Sequence, residues 1–351
     1  MDKQRVKEFA GRVFTDMAGA MAAGMGYLGT QTGLFRAMAG QGPMQLDQVV
    51  AAAGLQTRYV EEWLKGMVAA GYLDHDPEAE SFELPDEHAF LVASEGTDHF
   101  MGGLFHMAPV LMQVAPRVAT AFTEGGGVPF THYGPEGVAA LDLINRGQYE
   151  HRLTGEWLTA LPEITERLAD GGRVLDVGCG VGRVCLALAQ AFPHADIVGI
   201  DPDAGSIERA VALAQEEGLS ERIRFIAKTT TEFEPGDGFD LITACDCVHD
   251  FTAPQQTLDE IRRLLKPDGV LFVVEPKVAD DLLDNRNPVA TMFYGFSLFH
   301  CMTQSLADGG PGLGTCLGPA GLTALLREAG FSRVDTLPIR SQVNHFYAAR
   351  P

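Results

Sequence analysis

Residues 174–182 read Val174-Leu175-Asp176-Val177-Gly178-Cys179-Gly180-Val181-Gly182. A short apolar run meets three alternating glycines, and Val184 to Ala191 then reads as a helix. Strand, tight turn, helix is the order that opens a βαβ unit. Glycine accepts positive φ and carries no Cβ, so a ligand can approach such a turn closely. In open α/β sheets the ligand sits at the carboxyl ends of the strands, where this turn lies.

Working outward, short Val/Leu/Ile-rich runs alternate with helical segments from Gly172 to the end. That pattern predicts a parallel α/β sheet with strands at Arg173–Val177, Ile197–Ile200, Ile223–Ala227, Phe239–Thr243 and Val270–Val274. Two more strands are predicted near Arg333–Leu337 and Asn344–Ala348, and Leu264–Gly269 reads as a helix-to-strand turn. The fold class is therefore α/β: a Rossmann-like, seven-stranded sheet behind a smaller, mainly helical domain. With 351 residues, more than one domain is expected. The boundaries read as 1–96, a helical connector over 97–170, and the sheet domain over 171–351.

Residues 1–96 have their own pattern. Val60, Trp63, Leu64, Met67 and Val68 form one helical face, after a shorter helix with Leu46, Val49, Val50 and Ala53. An acidic turn over Asp74–Glu80 leads to Ser81-Phe82-Glu83-Leu84, which alternates like a strand. Two helices and a ribbon outline a winged helix. Its would-be recognition helix sets Glu61 and Glu62 against Arg58 and Lys65, and the ribbon is acidic. Such a surface is a poor match for phosphates.

The next polar marker is Asp201, nineteen residues past Gly182, at the end of Gly199-Ile200-Asp201-Pro202. An acid there can accept from both hydroxyls of a ribose, each bond to a charged group contributing about 1.5–3 kcal/mol. A dinucleotide fingerprint would place its last glycine at Arg183, which breaks G-x-G-x-x-G. Asp176, just ahead of the glycines, would welcome an ammonium and repel a pyrophosphate.

On these residues the chain resembles the class I S-adenosylmethionine-dependent methyltransferases, over about residues 172–351. The resemblance implies S-adenosylmethionine as cofactor, with Asp176, Gly178, Gly180 and Gly182 at its methionine end and Asp201 and Pro202 at its ribose. It also implies Cys245 and Asp246 beside the cofactor. Many members carry an acid after the third strand for the adenine amino group. This chain has Lys228-Thr229-Thr230-Thr231 there, so a hydroxyl or carbonyl of Thr229 or Thr230 is expected instead.

The fourth strand runs into Cys245-Asp246-Cys247-Val248-His249-Asp250-Phe251. His249-Asp250 resembles the His-Asp-Trp element of small-molecule O-methyltransferases, with Phe251 in the tryptophan's place. Those enzymes also carry an N-terminal winged helix that dimerises and helps enclose the substrate. The resemblance implies His249 as general base beside Asp250; a histidine that only caps the strand end is the plainer alternative. An imidazole with an ordinary pKa near 6.5 suits the task. Acceptor contacts are expected from Tyr133, Tyr149 and Arg152 in the connector, and from Tyr294 and His300 in the insertion over Lys277–Cys316. Tyr149 and Arg152, three apart, would share a helix face. Aromatic residues at helical spacing in that insertion also read as ordinary core.

Composition narrows the partners. The formal charge of −21 opposes nucleic acid and anionic membranes. The longest weak apolar run, Met17–Leu28, is glycine-broken and too short to span a bilayer. Six cysteines without C-x-x-C or a paired histidine spacing indicate neither a zinc site nor a disulfide framework, which suits a reducing cytoplasm. The expected protein is a cytoplasmic homodimer, joined through residues 1–120, that methylates a small molecule and holds no metal. Two other functions fit less of the text. One is S-methylation of a small thioether acid, which needs no base; the other is a cofactor-sensing winged-helix regulator.

Overall fold

The computed structural model describes residues 1–234 and 236–351, and these fall into two compact units. The first comprises residues 1–112 and 139–148; the second comprises 113–138 and 149–351. The connector is shared between them.

In the first unit three short strands, β1 (Met44–Gln45), β2 (Asp74–Asp76) and β3 (Ser81–Glu83), form an antiparallel sheet in the order β1-β3-β2. It joins the helices Leu46–Ala53 and Thr57–Ala69, whose Val49, Val60, Trp63, Leu64 and Met67 are buried. Asp74–Asp76 reads as a turn in the sequence because all three residues are exposed and polar. The structure pairs them with Glu83–Ser81, His75 stacks on Phe82 at 4.7 Å, and the turn tightens at Glu80, whose φ is +49°.

A 29-residue helix, Lys3–Gln31, precedes this core and is capped by Asp2, which accepts from the N–H groups of Gln4 and Arg5. Only its last turns pack. Trp63 Nε1 donates to Met25 O at 2.9 Å, and a Cβ on Gly29 would strike the Phe35 and Trp63 rings. Residues 3–21 of the helix are exposed throughout.

The second unit is built on seven strands: β4 (Arg173–Val177), β5 (Asp196–Asp201), β6 (Ile223–Ala227), β7 (Phe239–Cys245), β8 (Leu265–Pro276), β9 (Arg333–Thr336) and β10 (Asn344–Arg350). Their order is β6-β5-β4-β7-β8-β10-β9, with the first five parallel and β10 antiparallel to both neighbours. Side chains alternate between two buried layers, as period two requires. Val174, Leu241, Val270, Phe272 and Val274 face one layer; Leu175, Ile242, Leu271 and Val273 face the other. Burial on both faces is the rule for parallel strands.

The predicted strands stand where the sequence put them, with one difference at Leu264–Gly269. The chain does not turn fully there. It enters β8 early, pairing Leu265 with Phe239, and the pairing shifts before Leu241 meets Val270. Gly269 permits this because a Cβ on it would lie 2.7 Å from Phe239 O.

Phe272 is fully buried in the middle of the sheet, so Phe272→Ala is expected to cost about 3–5 kcal/mol. Val211→Thr, on the exposed side of the helix Ala204–Glu216, should stay within about 0.5 kcal/mol. Denaturant midpoints of the two variants check the contrast.

Candidate active site

Strand order reverses between β4 and β7, and the crevice at such a switch point is where open sheets take ligands. The glycine turn lies on one side of it. Gly178, Gly180 and Gly182 have φ of +68°, +51° and +84°, the left-handed region that a Cβ resists. The N–H groups of Gly178 and Cys179 donate to Ile200 O at 2.9 and 3.1 Å, which ties the turn to the end of β5. A Cβ on Gly182 would strike Phe225, whereas one on Gly180 would meet nothing within 4 Å. The turn is packed beneath and open above.

Asp201 closes the other end. Its Oδ2 accepts from Gly180 N–H at 2.9 Å and its Oδ1 from Asp203 N–H at 2.8 Å. Burial pushes its carboxyl up, and these two backbone donors pull it part of the way back. Both oxygens are thereby oriented, and each keeps a second lone pair for an incoming hydroxyl. Pro202 beside it is exposed. This open, oriented cradle fits the nucleoside and amino-acid ends of S-adenosylmethionine.

Asp176 lies under the turn. Register places it opposite Thr243, which explains why Thr243 Oγ1 donates to its Oδ1 at 2.6 Å. Cys185, on the helix Arg183–Ala191, approaches its other oxygen at 3.6 Å. Burial pushes the Asp176 carboxyl up to about 7, against the two hydrogen bonds and with help from Asp201.

At the end of β6, Thr230 is buried and Thr229 exposed. Glu232, which the sequence reading passed over, folds back so that its carboxylate accepts from Thr229 N–H at 3.0 Å and from Thr229 Oγ1 at 2.9 Å. An acid does stand near this strand end, directly after Lys228-Thr229-Thr230-Thr231.

The far side of the crevice is the turn after β7. Cys247 Sγ donates to Val177 O at 3.2 Å, and a Cβ on Gly178 would touch Cys247, so the two turns meet. Cys245 is buried just before it. Asp246 takes a left-handed φ of +53°, uncommon for a residue with a Cβ. Tyr149 Oη donates to its Oδ2 at 2.7 Å and Asn344 Nδ2 to its Oδ1 at 3.1 Å. Burial pushes the Asp246 carboxyl up to about 6, opposed by the Tyr149 bond and raised further by Glu275.

Tyr149 and Arg152 both stand on the helix Gly134–Arg152 but reach different partners. The helix Gly134–Arg152 gives way to a wider turn at Leu153, Tyr149 commits to Asp246, and Arg152 lies along Glu156 with two contacts of 2.7 Å.

His249 and Asp250 sit on the short turn Val248–Asp250. His249 is buried, and its Nδ1–H donates to Glu275 Oε2 at 2.6 Å, while Val248 N–H donates to Glu275 Oε1 at 3.0 Å. One carboxylate at the end of β8 thus fixes both the turn and the imidazole. His249 Nε2 faces Asp250 Oδ1 at 3.7 Å. Burial alone would lower the His249 pKa, but Glu275 and Asp250 outweigh it and hold it well above the ordinary value. Glu275 was missed in the sequence. Its signal was an acid directly following the apolar run Val270–Val274, at the same sheet edge as the glycine turn.

The expected acceptor residues separate. His300 is buried, 4.5 Å from the Tyr133 ring, and burial pulls its pKa down. Tyr133 is also buried, and its hydroxyl donates to Phe299 O at 2.7 Å. Tyr294 is exposed; its neighbour Phe293 is the one that packs inward.

Residues 168–307 match the family described as "Methyltransferase domain", and residues 20–94 match an "Rv2258c-like winged HTH domain". A sterol 24-C-methyltransferase of Aspergillus fumigatus is 35% identical over 122 residues, 34% of this chain and 32% of the relative. A methyltransferase of Penicillium fellutanum is 28% identical over 187 residues, 50% of this chain and 54% of the relative. The chain therefore spans between a third and about half of these relatives' lengths.

Solved structures match along almost the whole chain. Human N-acetylserotonin methyltransferase, solved with S-adenosylmethionine, has a TM-score of 0.70 at 19% identity and covers 97% of each chain. An O-methyltransferase family protein of Burkholderia thailandensis has a TM-score of 0.67 at 15% identity, covering 100% of this chain and 98% of that one. At such identities the likeness is one of fold. Residues 168–307 thus carry a methyltransferase domain and residues 20–94 a winged-helix domain, and the chain as a whole has the fold of class I methyltransferases.

Proposed function

We propose that this protein transfers a methyl group from S-adenosylmethionine to a hydroxyl of a small molecule, with His249 as general base. The observation that carries the base assignment is the buried 2.6 Å bond between His249 Nδ1 and Glu275. It fixes the tautomer, so that Nε2 presents its lone pair. S-adenosylmethionine, when bound, supplies a methyl already activated on a sulfonium, so the protein's work is alignment, exclusion of water and removal of one proton. Nε2 accepts the hydroxyl proton, and Glu275 stabilises the imidazolium that results. Asp201 holds the ribose hydroxyls, Gly178 and Gly180 let the ligand lie close to the backbone, and Asp176 acts on the ammonium from beneath. Asp246, pinned by Tyr149 and Asn344, shapes the crevice wall. His300 and Tyr133 belong to the acceptor side; Tyr294 and Arg152 have weaker claims, the first exposed and the second engaged with Glu156.

The same reading makes the protein a homodimer through residues 1–120. Val6, Phe9, Val13 and Met17, with Phe14, Met21 and Leu28, recur at spacings of three, four and seven on the exposed helix Lys3–Gln31, and a second copy is the occupant we assign to them. DNA is disfavoured because Arg58 and Lys65 on the helix Thr57–Ala69 are paired with Glu62 and Glu61.

Calorimetric titration with S-adenosylmethionine checks the cofactor assignment. Asp201→Ala is expected to weaken binding roughly 10- to 150-fold, the equivalent of about 1.5–3 kcal/mol. An ammonium prefers the ionised form of Asp176, whose carboxyl is pushed up to about 7. Wild-type affinity should therefore rise between about pH 6 and pH 8, and Asp176→Asn should flatten that rise.

For the base, His249→Ala should lower turnover about 10²–10⁴-fold at saturating substrates. The groups facing His249 are Glu275, Asp250, His300 and Cys301, of which Glu275, Asp250 and Cys301 raise its pKa. The neutral imidazole is the active form, so wild-type turnover should climb with pH through a midpoint above 6.5. Glu275→Gln should move that midpoint down and lower the plateau. A flat pH profile together with full activity of His249→Ala would instead favour a thioether acceptor.

Light scattering at micromolar concentration should give twice the chain mass, and Phe9→Glu combined with Phe14→Glu should give the monomer.

A further inference from the structure

Cys301 lies fifty-two residues beyond His249, so no local spacing connects them. The fold brings them together. One donor atom from each of His249, Asp250 and Cys301 falls within 4.8 Å of the other two. We propose that these three side chains form a binding site for one divalent ion of the zinc class, distinct from the methyl-transfer chemistry and antagonistic to it.

Four observations support the site. An imidazole, a carboxylate and a thiol make the mixed, borderline-soft donor set that zinc prefers. Zinc bond lengths of about 2.0–2.3 Å imply tetrahedral edges of roughly 3.3–3.7 Å. The Nε2–Oδ1 separation of 3.7 Å already falls there, and the widest pair needs to close by only about 1 Å. Asp250 Oδ1 is buried without a hydrogen-bond partner among the described residues, a state that a bound cation would relieve.

The supporting contacts are those of a metal site as well. Glu275 on His249 Nδ1 is the carboxylate–histidine arrangement that aims an imidazole at an ion. His300 Nδ1, 3.5 Å from Cys301 Sγ, stands where an N–H could support a thiolate. With three protein ligands, a fourth position remains for water or an exogenous ligand.

Occupancy would take the Nε2 lone pair that the acceptor's proton requires. Methyl transfer would then stop until the ion is removed. This consequence rests on the reading of His249 as the base, whereas the binding site itself does not.

Cobalt(II) substitutes for zinc in the same geometry and is coloured. Titrated into metal-free, full-length protein, one equivalent should give a thiolate-to-cobalt charge-transfer band in the near ultraviolet and intense tetrahedral bands in the visible. Cys301→Ser should abolish the charge-transfer band and His249→Ala the tetrahedral intensity, while Cys316→Ser should keep both. No band at one equivalent in protein with a normal melting curve would overturn the site, as would a band that survives Cys301→Ser. In the second arm, one equivalent of zinc should arrest turnover of the wild type, and a chelator should restore it. Cobalt binding with undiminished turnover under zinc would leave the site standing and remove His249 from the base role.

Discussion

The site in the second unit depends on one constraint: five parallel strands must be covered on both faces. Charged groups are then best placed near strand ends, and the carboxyl ends of β4, β5, β7 and β8 carry Asp176, Asp201, Asp246 and Glu275. The reversal between β4 and β7 separates the helices that follow those strands and leaves a crevice. Its walls meet where Cys247 lies against Gly178 and Val177. A side chain larger than hydrogen at 178 would push the walls apart, so that glycine serves the sheet as much as the ligand.

Burying acids at such an edge is costly unless each finds donors. Asp176 finds Thr243 because the register of two adjacent strands puts them side by side. Asp246 finds Tyr149 and Asn344, from segments nearly a hundred residues away on either side, and this anchoring holds its left-handed backbone. Glu275 finds the Val248 amide and the His249 ring together. Each carboxylate is thus held from more than one direction, and the turn between β7 and β8 owes its shape to side chains more than to its own hydrogen bonds.

That difference explains what could be read in the sequence. The glycine turn, Asp201 and the strands follow local rules of period two, positive φ and apolar runs, and they appear where the residues predict them. His249 was legible as a polar residue at a strand end, through its resemblance to a known element. Glu275 was not, because its partner lies twenty-six residues upstream and only the pairing of β7 with β8 unites them. Helical spacing puts Tyr149 and Arg152 on one helix, but the partner of Tyr149, Asp246, lies ninety-seven residues away and no local pattern points to it. Asp74–Asp76 was hidden for another reason: a strand exposed on every residue has no hydropathic alternation.

The winged helix can be weighed in the same physical terms. Arg58 and Lys65 are committed to i,i+4 partners on their own helix, exposed pairs that water and salt screen. That surface offers phosphates little. By contrast, seven large apolar side chains stand exposed along the helix Lys3–Gln31, and each would contribute about 1.5–3 kcal/mol if fully buried. A helix whose first nineteen residues are exposed gains little from propensity alone, since most helical stability comes from packing. The larger driving force on this unit is therefore apolar, and it favours burial of that stripe against a matching surface over a search for charge.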